Sequence, residues 1–254
     1  MGTFPLSIDS GVAVLTLDRP FCLDIAGKHA LSETLASLRD RNEVRALIIA
    51  SGNQQGFLVN VAELADMSAE AAAAFSASGH AVAAAIETLP FPVIAAVEGP
   101  ALGGGCELVL ACDLAVAGEQ ATFGQIEGLG GVMPAYGGCW RLARRVGHQR
   151  ALEMMFTATV INAQTAKTYG LVLDAVPCGK AIDAAMALAK RIIPLRAASV
   201  AAIKSTVLYG RSHAPAEIEG QEEKQFAALF GNEQSQRMHA YLKQQVKQKK
   251  EGKS

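Results

Sequence analysis

The residues with chemistry to offer lie close together in the chain. In "PVIAAVEGPALGGGCELVLACDLAVAG", residues 92–118, the glycines Gly103, Gly104 and Gly105 interrupt an apolar run, and Glu107 follows among Leu, Val, Cys and Ala. Further on, "FGQIEGLGGVMPAYGG" places Glu127 in a glycine-rich loop. Glycine tolerates positive φ and lets a ligand approach the backbone. A helix starting near Gly104 would turn unpaired N–H groups and its positive dipole end toward one spot. Such a spot suits an anion, or a carbonyl oxygen that becomes one. The same triplet also suits close helix–strand packing through small residues. A phosphate loop is excluded, because "GPALGGGC" lacks the Lys-Ser/Thr pair and the GxGxxG register. The chain holds no GxSxG elbow. Glu107, one turn into an apolar helix, costs several kcal/mol unless it is paired or functional. By spacing alone Glu127 reads as a surface loop acid. Beside an oxyanion hole, however, two carboxylates can hold a water, one taking its proton and the other donating a proton to carbon.

The surrounding pattern supplies elements to position these groups. "LSIDSGVAVLTLDRP" reads as two short strands around a turn at Asp9–Gly11. Ala30, Leu31, Leu35 and Leu38 recur at helical spacing, and Val44–Gly52 is a buried strand. An alanine-rich helix over 69–89 follows, stopped by Pro90 and Pro92. "PVIAAVEG" is a strand, residues 104–112 start a helix, and "DLAVAGEQATFGQIE" returns to strand. "GGCWRLARRVGHQRALEMMFTA" is helical, "VLDAVP" is a short strand, and from Lys180 onward the pattern is helical. This order predicts an α/β core, and the recurrence of strand, strand, helix hints at a spiral of similar units. The expected division is a core over 1–190 holding the site, and a helical region over 191–254.

Composition bounds the function. The chain has 254 residues, 50% apolar and 19% charged, with a net charge of −1. It can bury a sizeable core, and the interspersed charge gives no support for a nucleic-acid partner. The basic run at 243–253 reads as a solvated helix end. Cys22, Cys106, Cys112, Cys139 and Cys178 are scattered without CxxC, so neither a disulfide framework nor a zinc site is expected, and the compartment reads as reducing and cytoplasmic. No signal peptide is visible, and the 69–89 stretch is interrupted by Ser, Gly, His and Glu, so no membrane segment is expected. His29, His80, His148, His213 and His239 lack metal-ligand spacing. Trp140 is expected in core packing, Cys106 has no nucleophilic role, and Phe226, Phe230 and Tyr241 read as packing or subunit contacts.

The stretch 92–127, with "GGCWRLARRVGHQRALEMMFTA" after it, closely resembles the crotonase (enoyl-CoA hydratase/isomerase) superfamily. "VLTLDRP", "AQTAKTYGLVLDAVP" and "EKQFAALFGNEQSQRMHAYLKQ" extend the likeness over almost the whole chain. The resemblance implies a crotonase-like α/β spiral of ββα units with a helical C-terminal trimerisation region, assembled as a homotrimer or a dimer of trimers. It implies an acyl-CoA thioester as substrate, without a separate cofactor or metal. It implies Glu107 as the acid that activates water for attack at Cβ and Glu127 as the one that protonates Cα. Gly104 and Val59 become the two oxyanion donors, and Cys22, Asp24, Asn60, Gly103 and Tyr136 become candidates to line the thioester and CoA path. Both acids together favour hydration of an enoyl-CoA. The departures are Val59 in "GFLVNVAEL", Ala62 where the family often has lysine, Asp18, Asp24 and Ile25 in "DRPFCLDIA", and Ile126 in place of proline, followed by extra glycines at Gly128, Gly130 and Gly131. They suggest an unusual acyl group. Isomerisation, decarboxylation, dienoyl or ring hydration, or acyl-thioester binding without catalysis are the alternatives.

Overall fold

The computed structural model describes residues 4–18, 23–52, 57–59, 64–231 and 233–250. The chain divides into two compact units, Met1–Leu195 and Arg196–Ser254. The first opens with β1 (Leu6–Asp9) and β2 (Val12–Leu17), antiparallel and joined through Ser10 and Gly11. Both turn residues have positive φ, 49° and 84°, the backbone twist a two-residue hairpin needs. From β2 onward the main sheet is parallel: β3 (Ala46–Ser51), β4 (Val93–Val97), β6 (Leu114–Gly118) and β9 (Asp174–Val176) lie side by side in that order.

A second sheet grows from the strands that follow. β5 (Pro100–Leu102) pairs in parallel with β7 (Thr122–Gly124), and β8 (Ile161–Asn162) adds antiparallel to β7. Phe57 bridges in parallel to Ala101, so the 57–59 segment lies beside β5 as β3 lies beside β4. Three coils of the chain therefore stack: β3 with the 57–59 segment and α2 (Ala69–Glu87), β4 with β5 and α3 (Gly104–Ala111), β6 with β7 and α4 (Gly138–Val146). This is the recurrent strand-strand-helix unit that the sequence hinted at.

Alternation sorts the sheet's two faces, as period-2 geometry requires. Leu47, Ile49, Ala95, Val97 and Ala117 face the main core, against α1 (Ile25–Arg39), α2 and α3. Ala46, Ile48, Ile94, Ala96 and Val116 face a second cluster, closed by Ala181, Ala185 and Ala189 of α7 (Ala181–Ile192). The four-residue spacing of those alanines gives α7 a smooth stripe that can lie flat on the strands. Burying each Leu or Ile contributes roughly 1.5–3 kcal/mol. Glu98 tethers the start of α7 by accepting from the Ala181 N–H at 2.8 Å.

Several local features depart from the sequence pattern. The helical stretch after Gly137 is broken at Gly147, whose φ of 89° ends α4 and starts α5 (His148–Phe156). A further helix, α6 (Ala163–Tyr169), is capped by Asn162, whose side chain accepts from the Thr165 N–H. Trp140 is not core: it is 38% exposed, with the guanidinium groups of Arg141 and Arg144 over its ring. The second unit consists of α8 (Ala197–Tyr209), α9 (Pro215–Ala228) and α10 (Glu233–Lys250). Among the described residues, no single helix is long and apolar enough to cross a membrane.

Candidate active site

Glu107 sits in the first turn of α3 and is 2% exposed. Its Oε1 accepts from the backbone N–H of Tyr136 at 2.7 Å and of Gly138 at 2.5 Å. The loop supplying these amides is held from behind. Arg141 donates to the Tyr136 carbonyl at 2.6 Å and grips Glu87 of α2 through two bonds of 2.9 and 2.8 Å. Gly137, at φ 97°, lets the loop turn into α4, and a side chain there would strike Arg141. Burial pushes the Glu107 carboxyl above its ordinary range, while the three amides of Gly138, Tyr136 and Ala135 and the charge of Arg141 pull it back.

Glu127 begins a single 3-10 turn, Glu127–Gly130, directly after β7. It is partly buried rather than a plain surface acid. A Cβ on Gly103 would meet its Oε1 at 3.0 Å, so the glycine triplet and the second acid are in contact. Gln125 is buried beside it, and with its amide turned over it would donate to both carboxylate oxygens at 3.1 and 3.2 Å. The Glu127 carboxyl is raised to about 7, by burial first and then by the neighbouring charge of Glu107.

The triplet itself is used three ways. Gly103 has φ 54° and donates its N–H to Gly124 at 2.9 Å, joining the start of α3 to β7. Gly104 is the first residue of the helix, so its N–H has no acceptor within α3. A Cβ at Gly104 would lie 2.6 Å from Cε2 of Tyr136 and 2.7 Å from Cγ2 of Val59. A Cβ at Gly105 would lie 1.7 Å from the Phe57 carbonyl oxygen. Helix and 57–59 segment thus touch backbone to backbone, which only glycine allows.

A small cleft opens beside the first turn of α3. Gly104, Glu107 and Tyr136 line it together with Lys28 of α1, Gly79 of α2 and Leu108 of α3. Lys28 is 3% exposed and donates to the Tyr136 hydroxyl at 3.0 Å. It was not singled out by the sequence reading. Its signal was there, since Leu31, Leu35 and Leu38 continue backward along the buried stripe of α1 onto Lys28.

Of the residues singled out from sequence, Glu107, Glu127, Gly103, Gly104, Val59 and Tyr136 come together around α3's first turn. Asp24 caps α1, its Oδ1 accepting from Gly27 at 2.6 Å. Cys22, Asn60 and Ala62 lie outside the described residues. Cys106 is fully buried, and burial with the charges of Glu107 and Glu127 pushes its thiol up to about 12, which suits an inert packing residue. Among the described residues, no cluster of three or more His, Cys, Asp or Glu could hold a metal ion.

A fold of stacked strand-strand-helix coils, with paired acids beside a glycine-rich helix start, defines an α/β protein of the crotonase type. The sequence model of the family described as enoyl-CoA hydratase/isomerase matches residues 7–251, and the chain belongs to that family. It is 35% identical over 193 residues to the short-chain-enoyl-CoA hydratase of Clostridium acetobutylicum, covering 74% of each chain. It is 37% identical over 193 residues to the crotonyl-CoA hydratase of Syntrophomonas wolfei, again covering 74% of each. The crystal structure of enoyl-CoA hydratase from Bacillus anthracis superposes with a TM-score of 0.88 at 27% identity, covering 96% of this chain and 97% of that one.

Proposed function

We propose that the chain is an acyl-CoA hydro-lyase that adds water across the 2,3-double bond of an enoyl-CoA thioester, or removes it. The observation carrying this reading is the convergence of two raised carboxyls with the Gly103–Gly105 backbone. The names of the relatives support it. In the proposed reaction, water bonds to Cβ as Glu107 takes its proton, and the double-bond electrons move onto the thioester oxygen. The N–H groups of Gly104 and Val59 hold that oxygen as an enolate, at roughly 3–4 kcal/mol for each donor. Collapse of the enolate draws the proton of Glu127 onto Cα. The pair then passes one proton back, which resets it. The reaction calls on no metal and no redox cofactor.

Glu107→Gln and Glu127→Gln are each expected to lower hydration of crotonyl-CoA by about 100-fold or more while remaining folded, since general acid–base groups contribute about 10²–10⁴-fold. Turnover near that of the parent in either variant removes the assignment. A second reading, isomerisation, decarboxylation or ring hydration of a less common acyl-CoA, rests on the atypical sequence "GFLVNVAEL" around Val59. Product analysis on a panel of thioesters separates the two. We also propose a homotrimer or dimer of trimers in the cytoplasm. Its support is the exposed apolar side chains of the C-terminal unit, among them Ile203, Val207, Phe226, Leu242 and Val246. Sedimentation equilibrium tests the assembly.

A further inference from the structure

The Tyr136 ring fills a slot made by missing side chains. On one side a Cβ at Gly79 of α2 would sit 1.8 Å from its Cδ1, and on the other a Cβ at Gly104 would sit 2.6 Å from its Cε2. Phe75, one turn before Gly79, packs against it with ring centroids 5.4 Å apart. At the far end the hydroxyl accepts from Lys28, whose ammonium also lies 3.5 Å from the centre of the Phe75 ring. A cation on an aromatic face, shielded from water, is held more firmly than one at an exposed site. The ring is thus fixed on four sides: two glycine backbones, one aromatic face and one ammonium. It can swing aside only by giving up the hydrogen bond and loosening the aromatic contact.

That ring stands in the wall of the cleft, directly against Gly104. We propose that Tyr136 is the specificity-determining residue of the acyl cavity, that Lys28 is its positioning residue, and that together they confine the site to short acyl groups. The proposal rests on the reading of this cleft as an acyl-thioester site, with the thioester oxygen at Gly104. Acyl carbons beyond that oxygen meet the ring within a few bonds, and the remaining wall, with Leu23, Val82 and Ala83, leaves them little other room.

The test compares kcat/KM for a four-carbon and an eight-carbon 2-enoyl-CoA. Tyr136→Ala is expected to raise the eight-to-four ratio at least about tenfold, the lower end of what one methylene is worth in a hydrophobic pocket. Taking the ratio cancels any loss common to both substrates, such as a shift of the Tyr136 amide on Glu107. Tyr136→Phe and Lys28→Met each keep the ring in place but remove the bond between the two side chains, and each is expected to move the ratio about threefold, the worth of one hydrogen bond. Loss of stability alone would lower both rates together and leave the ratio unmoved. If Tyr136→Ala does not fold, Tyr136→Leu and Lys28→Met carry the comparison. Calorimetric Kd values for butyryl-CoA and octanoyl-CoA, which need no turnover, are measured on the same proteins. A parent chain that hydrates no enoyl-CoA overturns the hydratase reading, and the Kd ratio then decides the role of Tyr136 by itself. A ratio unchanged by Tyr136→Ala, or by Tyr136→Leu where that variant takes its place, overturns the proposal.

Discussion

Replacing Gly105 by alanine presses on the donor geometry at its tightest point. The new Cβ would stand 1.7 Å from the Phe57 oxygen and 2.4 Å from its carbonyl carbon, where real contacts begin near 3.0 Å. Helix α3 and the 57–59 segment must separate by about 1.3 Å along that line. Phe57 cannot yield freely, because its N–H is tied to Pro100 at 2.8 Å and its strand bridges to Ala101. The strain therefore reaches Val59, two residues on, and Gly104, one residue back, which are the two proposed donors. Overpacking costs about 1–3 kcal/mol of stability. Misplacing a reacting group by about 1 Å costs about 100-fold in rate. Hydration of crotonyl-CoA, followed by loss of the conjugated thioester absorbance, is expected to fall by that factor in kcat, with a lowered melting temperature. Gly220→Ala in α9, where a Cβ meets open space, is the control that keeps the rate. A folded Gly105→Ala enzyme within about threefold of the parent kcat would refute the donor assignment, because a lost donor alone costs about 10²–10³.

Two other outcomes follow from the charges around the site. The Glu127 carboxyl, raised from 4.5 to about 7, keeps its proton in the native chain over a pH window where the unfolded chain has released it. Native stability is therefore unpenalised below about pH 4.5 and falls as pH rises to 7, by about 2 kcal/mol after allowance for the carboxyl's partial exposure. Glu127→Gln is expected to melt above the parent at pH 8, with the gap closing near pH 4; an equal gap at both refutes the assignment. Arg141→Met breaks the buried pair with Glu87 and is expected to cost about 3 kcal/mol in urea unfolding, less when Glu87→Met accompanies it. Hydration falls in Arg141→Met because the loop that supplies the Glu107 amides loses its support.

Much of this was legible along the chain because its causes are local. β3 and β4 are short apolar runs bounded by turn residues, and each is buried on both faces. The helix stripe Leu31, Leu35 and Leu38 faces the core as its spacing requires. Asp24, read from the sequence only as a candidate on the CoA path, is the N-cap of α1. What escaped the sequence reading depends on distant partners. The slot at Gly79 has meaning only once Tyr136, far along the chain, is seen to fill it. The two amides on Glu107 come from a loop some 30 residues away, and no periodicity reports them. Trp140 was expected inside on residue type alone, yet flanking arginines cover its ring and let it sit near water. Gly147 broke a continuous helical pattern because left-handed φ at one glycine outweighs propensity on both sides.

Position 136 serves two masters through different atoms. Its main-chain nitrogen steadies the acid on α3, and its phenol closes the wall between two helices. On the proposed reading, the acyl cavity can therefore be recut at this position while the amide on Glu107 is kept, since every residue type but proline brings the same N–H. Only proline, lacking that hydrogen, would damage both tasks in one stroke.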